Sequence, residues 1–482
     1  GALFKIAVSV LGVFKGTMEW GIRIGKGAFA FGSDVSPMLL AVGFIVGFEA
    51  STVLMVGNVI SNIFAIPALS WGTDFTQTPA LDVVGDVWNT QIRYLGIGAM
   101  VVAGVYSIIK ISGSMSSAIK TSWRGIRGLE DTASLPRNEQ GISGKLLFSL
   151  LLGSMILSGI VYYMMTKSML TTGVITVLLF ILAFFFVAVA SYIVGLVGSS
   201  NSPVSGMTIC TVLITAGLFL IMGYTGPAGM LATLGVAGVV CCAACTSGDI
   251  CQDLKIGQIV GATPKKFQIA EILGAVSAAF IIAPTMTLLH KAYGIGTAAR
   301  AGVPPLKAPQ GVMFQKLVGG LFGAEAQIPW NLVLVGALIC VIAIIIDRYV
   351  LAPRNGKFRL YPMPLAVGMY LPMSVILPMF IGGVVYEVVA HRLKKKGLSE
   401  EEQQAGVHRG LLFSSGLVAG EAIMGIFIAV LMVMNCEIPW LKNPYANSFG
   451  DEWLGNIVSV IGFALMTLIL MRKCFDKDRA VK

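Results

Sequence analysis

The chain has 482 residues, of which 56% are apolar and 12% are charged. Soluble domains carry about 25% charged residues, so this chain has too little charge to cover a water-facing surface, and its apolar content excludes intrinsic disorder. The net charge of +10 comes from a few basic loops, which is typical of membrane topology and not of nucleic-acid binding. The composition predicts an all-α polytopic membrane bundle surrounded by the lipid bilayer.

Apolar runs of about 20 residues predict where the chain crosses the membrane. An apolar run begins at Gly1, so residues 1–35 are predicted to be an interfacial or incomplete helical segment of a longer protein. Nine later runs are predicted to be membrane spans: 92–113, 146–166, 171–196, 206–222, 228–247, 268–290, 330–350, 409–434 and 453–472.

Two further apolar stretches, 36–66 and 362–390, are near 30 residues long and are interrupted. The first contains Gly43, Gly47 and Gly57, and the second contains Pro364, Pro372 and Pro378 before Gly382-Gly383. Proline removes an amide donor and clashes with the preceding turn, so an unbroken helix is not expected there. Each stretch is predicted to be a broken-helix hairpin.

The two interrupted stretches are copies of one another. Residues 37–59 align with 362–384 at an offset of 325 and share eight identities, and the helix after each copy repeats more weakly, with Arg93 aligned on Arg409. A duplicated unit is therefore predicted. The predicted parts are a first repeat at 36–166, central spans at 171–350 and a second repeat at 362–482.

Loop charge predicts the orientation of the repeats. The loop 110–145 has six basic residues against three acids, whereas 71–92 has three acids and no base. Basic loops stay in the cytoplasm, so the nine spans alternate only if 362–390 enters and leaves on the cytoplasmic side and 36–66 on the outer side. The repeats are then inverted. The segment 291–329 opposes this topology, because it would lie outside with four basic residues against one acid.

Irregular backbone survives in hydrocarbon only where protein buries it or where it lines a wet cavity. Opposed broken helices are the recurrent way in which transporters build a site near the bilayer midplane. The two hairpins are therefore predicted to line a substrate cavity, with kinked scaffold helices as the alternative. The candidate substrate contacts on these stretches and on the span that follows are Asn58, Tyr370, Ser374, Ser414 and Ser415.

A third interruption lies at 195–206, where hydroxyl and amide side chains gather beside Pro203. Asn201, Ser202 and Ser205 are candidate donors to peptide or chelate groups. A plain cytoplasmic turn is the alternative, because the same residue types dominate turns.

Two acids lie deep in apolar sequence, Glu421 in the span 409–434 and Glu49 in the hairpin 36–66. A carboxylate at the bilayer centre costs about 2.5–3.5 kcal/mol, so it is rarely there without a role. Burial favours the protonated form of a carboxyl group, which suits a group that exchanges protons. Both are predicted to be coupling or substrate residues, and the alternative is a structural acid that bridges helices.

The stretch 246–255 follows a predicted helix end and carries Asp249, Asp253 and Lys255. One interpretation is a self-neutralising capping loop. The other is an inner gate that pairs these charges in one state and separates them in another.

No resident metal, cofactor or enzymatic centre is predicted. The three histidines do not cluster, and no nucleophile lies beside a base. Cys242 and Cys245 lie among small residues, where cysteine packs as a small apolar side chain.

Four blocks, 201–208, 246–264, 362–383 and 409–425, resemble the oligopeptide transporter family and come in the family's order. The resemblance is closest to the prokaryotic branch, covers about the last two-thirds of a member, and indicates that the family's N-terminal helices are missing. It implies proton-driven uptake of short peptides, peptide-like molecules or metal chelates across a bacterial inner membrane. Glu49 departs from the family block, and the peptide-carrier motifs of the fungal and plant branch are not evident.

The resulting hypothesis is an alternating-access symporter that binds a small-molecule or peptide substrate between the two hairpins. Protons are the expected coupling ion, and Glu421 carries the proton or contacts a substrate cation. A channel whose continuous path is lined by the hairpins, and a transport-inactive receptor or scaffold, are the alternatives. A homo-oligomer is left open.

Overall fold

The computed structural model describes residues 1–71, 78–107, 109–110, 137, 140–197, 204–297, 299, 305–306, 308–323, 329–354, 358–434 and 452–475. Two strands pair near the start, β1 (Thr17–Ile24) and β2 (Gly27–Asp34). The helices are α1 (Ala2–Ser9), α2 (Pro37–Val46), α3 (Phe48–Ser70), α4 (Ala80–Val87, continued by a π-turn Trp88–Ile92 and by helix 93–107), α5 (Gly144–Thr166), α6 (Met169–Val197), α7 (Val204–Ile221), α8 (Gly226–Ile259), α9 (Pro264–Ala292), α10 (Pro309–Leu321), α11 (Trp330–Arg354), α12 (Pro362–Tyr370), α13 (Met373–Lys395), α14 (Glu400–Val433) and α15 (Glu452–Phe475).

Within the described residues, ten helices are long and apolar enough to cross a membrane. This confirms the predicted all-α polytopic membrane bundle. Eight of the ten correspond to predicted spans, and the other two are α3 and α13, which belong to the interrupted stretches. The ninth predicted span is helical over 93–107.

The predicted helix end near residue 247 is wrong, because α8 continues through the stretch 246–255 to Ile259. No proline interrupts this stretch, and Asp249 and Asp253 are spaced one helical turn apart. The helix ends where Gly261 adopts a φ of +73°, a conformation that glycine allows without strain. Pro264 then begins α9.

Residues 17–34 form a β-hairpin instead of the predicted helical segment, which is limited to α1. Apolar and polar residues alternate along β1, and Gly25 and Lys26 form a two-residue turn in which Gly25 has a φ of +63°. A positive φ at the first central position suits the right-handed twist of paired strands. The hairpin is anchored on α3 by a 3.0 Å bond from the Ala28 amide to Ser70 Oγ.

The described helices and strands belong to two compact units. The first unit comprises Gly1–Met100, Thr285–Pro309 and Pro329–Lys482. The second unit comprises Val101–Pro284 and Gln310–Ile328. The first contains both interrupted stretches, and the second packs α8 against α6 and α7.

The interrupted stretches are broken at the same register. A short helix, α2 or α12, begins at Pro37 or Pro362 and is followed at once by a longer helix that starts at Phe48 or Met373. These starts are all related by the offset of 325. The duplication therefore extends from the sequence to the position of the backbone break, while the hairpin geometry and the inversion across the membrane stay predictions.

The two breaks use different chemistry. At the first break, Gly47 adopts φ 86° and ψ 173°, a region that is essentially restricted to glycine. At the second break, Leu371 and Pro372 are extended, with ψ values of 147° and 156°. A glycine at one position and a proline at its counterpart thus produce equivalent interruptions by opposite means.

The repeats pack on each other through glycines. A Cβ atom at Gly43 would overlap the Met379 carbonyl, and one at Gly368 would overlap the Leu54 carbonyl. Gly43 corresponds to Gly368, and Leu54 corresponds to Met379. The same glycine–carbonyl contact is therefore made twice, once from each repeat to the other. Such reciprocity is the property of a two-fold interface.

A second pair of contacts follows the same rule. Gly57 lies against the Leu365 carbonyl, and its counterpart Gly382 lies against the Leu40 carbonyl. Leu40 and Leu365 also correspond under the offset of 325. The backbones of the two repeats therefore approach to the distance that only glycine permits, as in close helix crossings within membranes.

Candidate substrate site at the second break

The second break leaves helix carbonyls without their usual donors. The Leu371 amide still donates to the Val367 carbonyl at 3.0 Å, but Pro372 has no amide hydrogen and the backbone then turns into α13. The carbonyls of Gly368, Tyr370 and Leu371 therefore need donors from elsewhere.

Side chains from α3 and α4 supply those donors. Asn58 Nδ2 donates to the carbonyl of Leu371 at 2.8 Å and to that of Gly368 at 3.2 Å. Trp88 Nε1 donates to the Tyr370 carbonyl at 3.2 Å. Asn58 reaches the break because its neighbour Gly57 brings α3 into backbone contact with α12. Three side-chain bonds thus replace the helical bonds lost at the break.

Three polar atoms around the same break have no hydrogen-bond partner among the described residues: Asn58 Oδ1, Tyr370 Oη and Arg93 Nε. Asn58 is fully buried and Tyr370 is 2% exposed. A buried polar atom without a partner costs about 1–3 kcal/mol, so such atoms mark places that are suited to an additional group.

Arg93 lies against Trp88, the residue whose indole donates to the Tyr370 carbonyl. Its guanidinium carbon is 4.1 Å from the centroid of the Trp88 ring, which is cation–π geometry. Tyr370 packs against Gly96, about one turn beyond Arg93 on the same helix. The break therefore gathers Asn58, Trp88, Arg93 and Tyr370.

The predicted serines are distributed unevenly around the repeats. Ser374 is buried in the first turn of α13, directly after the second break. Ser414 is fully buried in α14, and its Oγ has no hydrogen-bond partner within the described chain. Ser415 is exposed and donates to the Leu411 carbonyl of its own helix at 2.9 Å, so it forms no link to the break.

Glu421 lies at the start of the first repeat. Its carboxylate accepts hydrogen bonds from Ser36 Oγ at 3.1 and 3.2 Å and from the Met38 amide at 3.0 Å. Ser36 is the N-cap of α2, so Glu421 occupies the positive end of this helix. The structure brings Glu421 to the end of a broken helix, where a coupling role and a structural role both fit the geometry.

Glu49 lies in the first turn of α3, just after the first break, and is exposed. It lies on the opposite side of α3 from Asn58, because nine residues at 100° each amount to a half-turn beyond two full turns. The structure therefore does not bring Glu49 to the second break.

The other predicted polar sites lie in the second unit. Asn201 and Ser202 fall outside the described residues, and Ser205 is half-buried in the first turn of α7. Among the gating candidates, Asp249 and Asp253 face Glu271 of α9. Lys255 Nζ instead bonds Gln258 Oε1 at 2.9 Å. The gate itself stays a prediction.

Arg93 and Trp88 were not among the predicted site residues. The available signal was an arginine at the start of an otherwise apolar span, aligned with Arg409 in the weaker part of the repeat. Nothing in the local sequence indicates the π-turn Trp88–Ile92, a type of helix distortion that is frequent at functional sites.

Comparison with known families identifies the chain. Residues 3–432 match the model of the OPT oligopeptide transporter protein family. The chain belongs to this family. Its members are transporters and not enzymes, which agrees with the ten apolar helices found in the described parts of this multi-pass membrane protein.

Named relatives extend the similarity. A protein of Haemophilus influenzae that is named as an oligopeptide transporter is 29% identical over 95% of this chain and 76% of its own length. A protein of Oryza sativa subsp. japonica named as the metal-nicotianamine transporter YSL11 is 23% identical over 92% of this chain. Its relative YSL6 is 27% identical over 46%. The chain spans 63% of YSL11 and 31% of YSL6.

Proposed function

We propose that this OPT family protein is a proton-coupled symporter that imports short peptides, peptide-like compounds or metal chelates by alternating access. Its proposed location is the inner membrane of a bacterium. The substrate classes named for the Haemophilus and rice relatives, an oligopeptide and a metal-nicotianamine complex, support this choice. Both are small polar molecules that need a desolvated, hydrogen-bonding site within the bilayer.

One observation carries the proposal. Two helices broken at equivalent positions pack reciprocally, and the second break holds buried Asn58 and Tyr370 atoms without partners. Broken helices of this kind supply backbone and side-chain groups to substrate sites in transporters. A purely structural kink needs no surplus of polar groups.

Glu421 is the proposed coupling residue. Its carboxylate holds the N-terminus of α2 through Ser36 and Met38. Protonation would remove the negative charge that this helix end favours, so uptake of a proton would loosen α2 from α14. A proton-dependent contact at the start of one broken helix provides a physical link between protonation and movement of the repeat.

Uptake into proteoliposomes tests the function. Radiolabelled oligoalanines of two to six residues and nickel–nicotianamine are supplied outside, with an inwardly directed proton gradient. Concentration inside above the external level, lost when a protonophore collapses the gradient, is the expected result. Flux that only equilibrates the substrate would indicate a channel, and absence of both flux and binding would contradict the proposal.

A further inference from the structure

The groups left available at the second break form a defined set of donors and acceptors. Both hydrogens of Asn58 Nδ2 are used by the Gly368 and Leu371 carbonyls, so only Oδ1, an acceptor, remains available. Arg93 offers donors only, and the Tyr370 hydroxyl can donate or accept. The break thus presents a cation, a hydroxyl and one neutral acceptor.

This set matches a particular ligand chemistry. A carboxylate accepts from a guanidinium and a hydroxyl at once, through short charge-assisted bonds. The Asn58 oxygen requires an N–H donor beside that carboxylate. A single arginine balances one negative charge, and no carboxylate pairs with Arg93 among the described residues. A doubly charged phosphate would leave an uncompensated buried charge, which is unfavourable.

We propose that Arg93 and Tyr370 bind the carboxylate of an amino- or amido-carboxylate substrate, with Asn58 Oδ1 accepting from its adjacent N–H group. The C-terminus of a peptide and the aminocarboxylate groups of nicotianamine share this chemistry. This subsite rests on the proposed function, since it supplies the recognition element for the same substrates. Trp88 positions the arginine by stacking on its guanidinium.

The hydrogen-bonding pattern at the second break also distinguishes a binding role of Arg93 and Tyr370 from a structural role. A structural arginine pairs with a protein acceptor, and removing it leaves that acceptor unsatisfied. Arg93 Nε and Tyr370 Oη have no such partner within the described residues. Arg93→Gln and Tyr370→Phe are therefore expected to leave the melting temperature of the ligand-free protein unchanged or raised, although both weaken binding.

Thermal-shift titration of the purified full chain in detergent provides the test, because a ligand that binds only the folded state raises its melting temperature. The probes are oligoalanine acids of two to six residues, the same peptides as C-terminal amides, and nickel–nicotianamine. We expect the wild type to bind the acids about tenfold or more tightly than the amides. Arg93→Gln and Tyr370→Phe should reduce this ratio towards one.

A matched control is Arg348→Gln. Arg348 also lies over an aromatic ring, with its guanidinium carbon 5.9 Å from the centroid of the Tyr349 ring, but it is exposed. Its loss should preserve the preference for acids. Arg93→Lys should restore only part of the preference, since an ammonium keeps the charge but loses the planar fork.

The outcomes separate the subsite from the function. Equal binding of acids and amides to the wild type, or an unchanged preference in Arg93→Gln, would overturn the subsite and leave peptide transport standing. If both ligand-free variants have a lower melting temperature than the wild type, Arg93 and Tyr370 have structural roles and the subsite is wrong. Binding of nickel–nicotianamine alone, weakened by Arg93→Gln, would support the subsite with the chelate as carboxylate source. Binding of no probe would contradict subsite and function together.

Discussion

Asn58 shows how one side chain makes a broken helix tolerable inside a membrane protein. Its amide group donates to two carbonyls that Pro372 leaves without helical donors. Its counterpart in the other repeat is Gly383, which lies against the Gly47 carbonyl and Ser51. One repeat therefore completes the break with an amide side chain and the other with close backbone packing.

Replacing Asn58 by alanine should lower the free energy of unfolding by about 2–4 kcal/mol, because two buried carbonyls lose their donor. Asn62→Ala is the control. Asn62 is also buried on this part of the chain, but its amide bonds only Asn58 O and Ser61 Oγ of its own helix. Thermal unfolding in detergent measures the difference, and equal losses in the two variants would contradict the role given to Asn58.

Glu421→Gln should uncouple transport from the proton gradient. Glutamine still accepts hydrogen bonds from Ser36 or Met38, so the fold is kept, but it does not ionise. Proteoliposome uptake should fall to the level seen without a gradient and should lose its dependence on external pH. Glu401→Gln, an exposed acid on the same helix, is the matched control. Wild-type uptake and pH dependence in Glu421→Gln would exclude the coupling role.

At the scale of elements, the interface between the repeats depends on the absence of side chains at four positions. Gly43, Gly57, Gly368 and Gly382 each meet a backbone carbonyl of the other repeat. The opposing carbonyls belong to Leu40, Leu54, Leu365 and Met379. The interface is stabilised by close backbone contact, which is how helices associate where lipid removes the hydrophobic driving force.

Gly43→Ala and Gly368→Ala should destabilise the protein to a similar extent, by about 2 kcal/mol or more, because each introduces the same overlap from opposite sides. Gly416→Ala is the control. No atom lies within 4 Å of a Cβ placed there, so it should be neutral or stabilise α14 by about 0.5–1 kcal/mol. Melting temperatures in detergent test this, and a tolerated Gly43→Ala would contradict the reciprocal packing.

For the whole molecule, the predicted inversion of the repeats places the segment after the first interrupted stretch outside and the segment after the second in the cytoplasm. In a cysteine-free background, cysteine at Thr78 should react with a membrane-impermeant maleimide in intact cells. Cysteine at Lys396 should react only after permeabilisation. In the sequence, Thr78 follows α3 and Lys396 directly follows α13. Labelling of both sites from the same side would show that the repeats are parallel. The loop charges would then have been assigned to the wrong sides of the membrane.

The membrane-helical class, the duplication and the presence of two interrupted stretches could be predicted from the sequence, because each depends on local composition. Apolar runs of span length, the shared proline that begins each copy, and Gly47 or Pro372 at equivalent positions act through neighbouring residues. The β-hairpin at 17–34 was missed, although alternation along β1 and the Gly25-Lys26 turn were its signals. The predicted helical segment followed from the apolar run that begins at Gly1, which lies before the hairpin.

The tertiary structure alone decided which distant side chains come together at the second break and at the start of α2. Arg93 and Trp88 reach the second break because α4 packs beside α12, and Glu421 reaches α2 across 385 positions of sequence. No local pattern encodes such a meeting. The sequence determined which two stretches are interrupted, since that follows from the steric properties of their glycines and prolines. Folding determined which side chains surround the break, since that follows from the packing of distant helices.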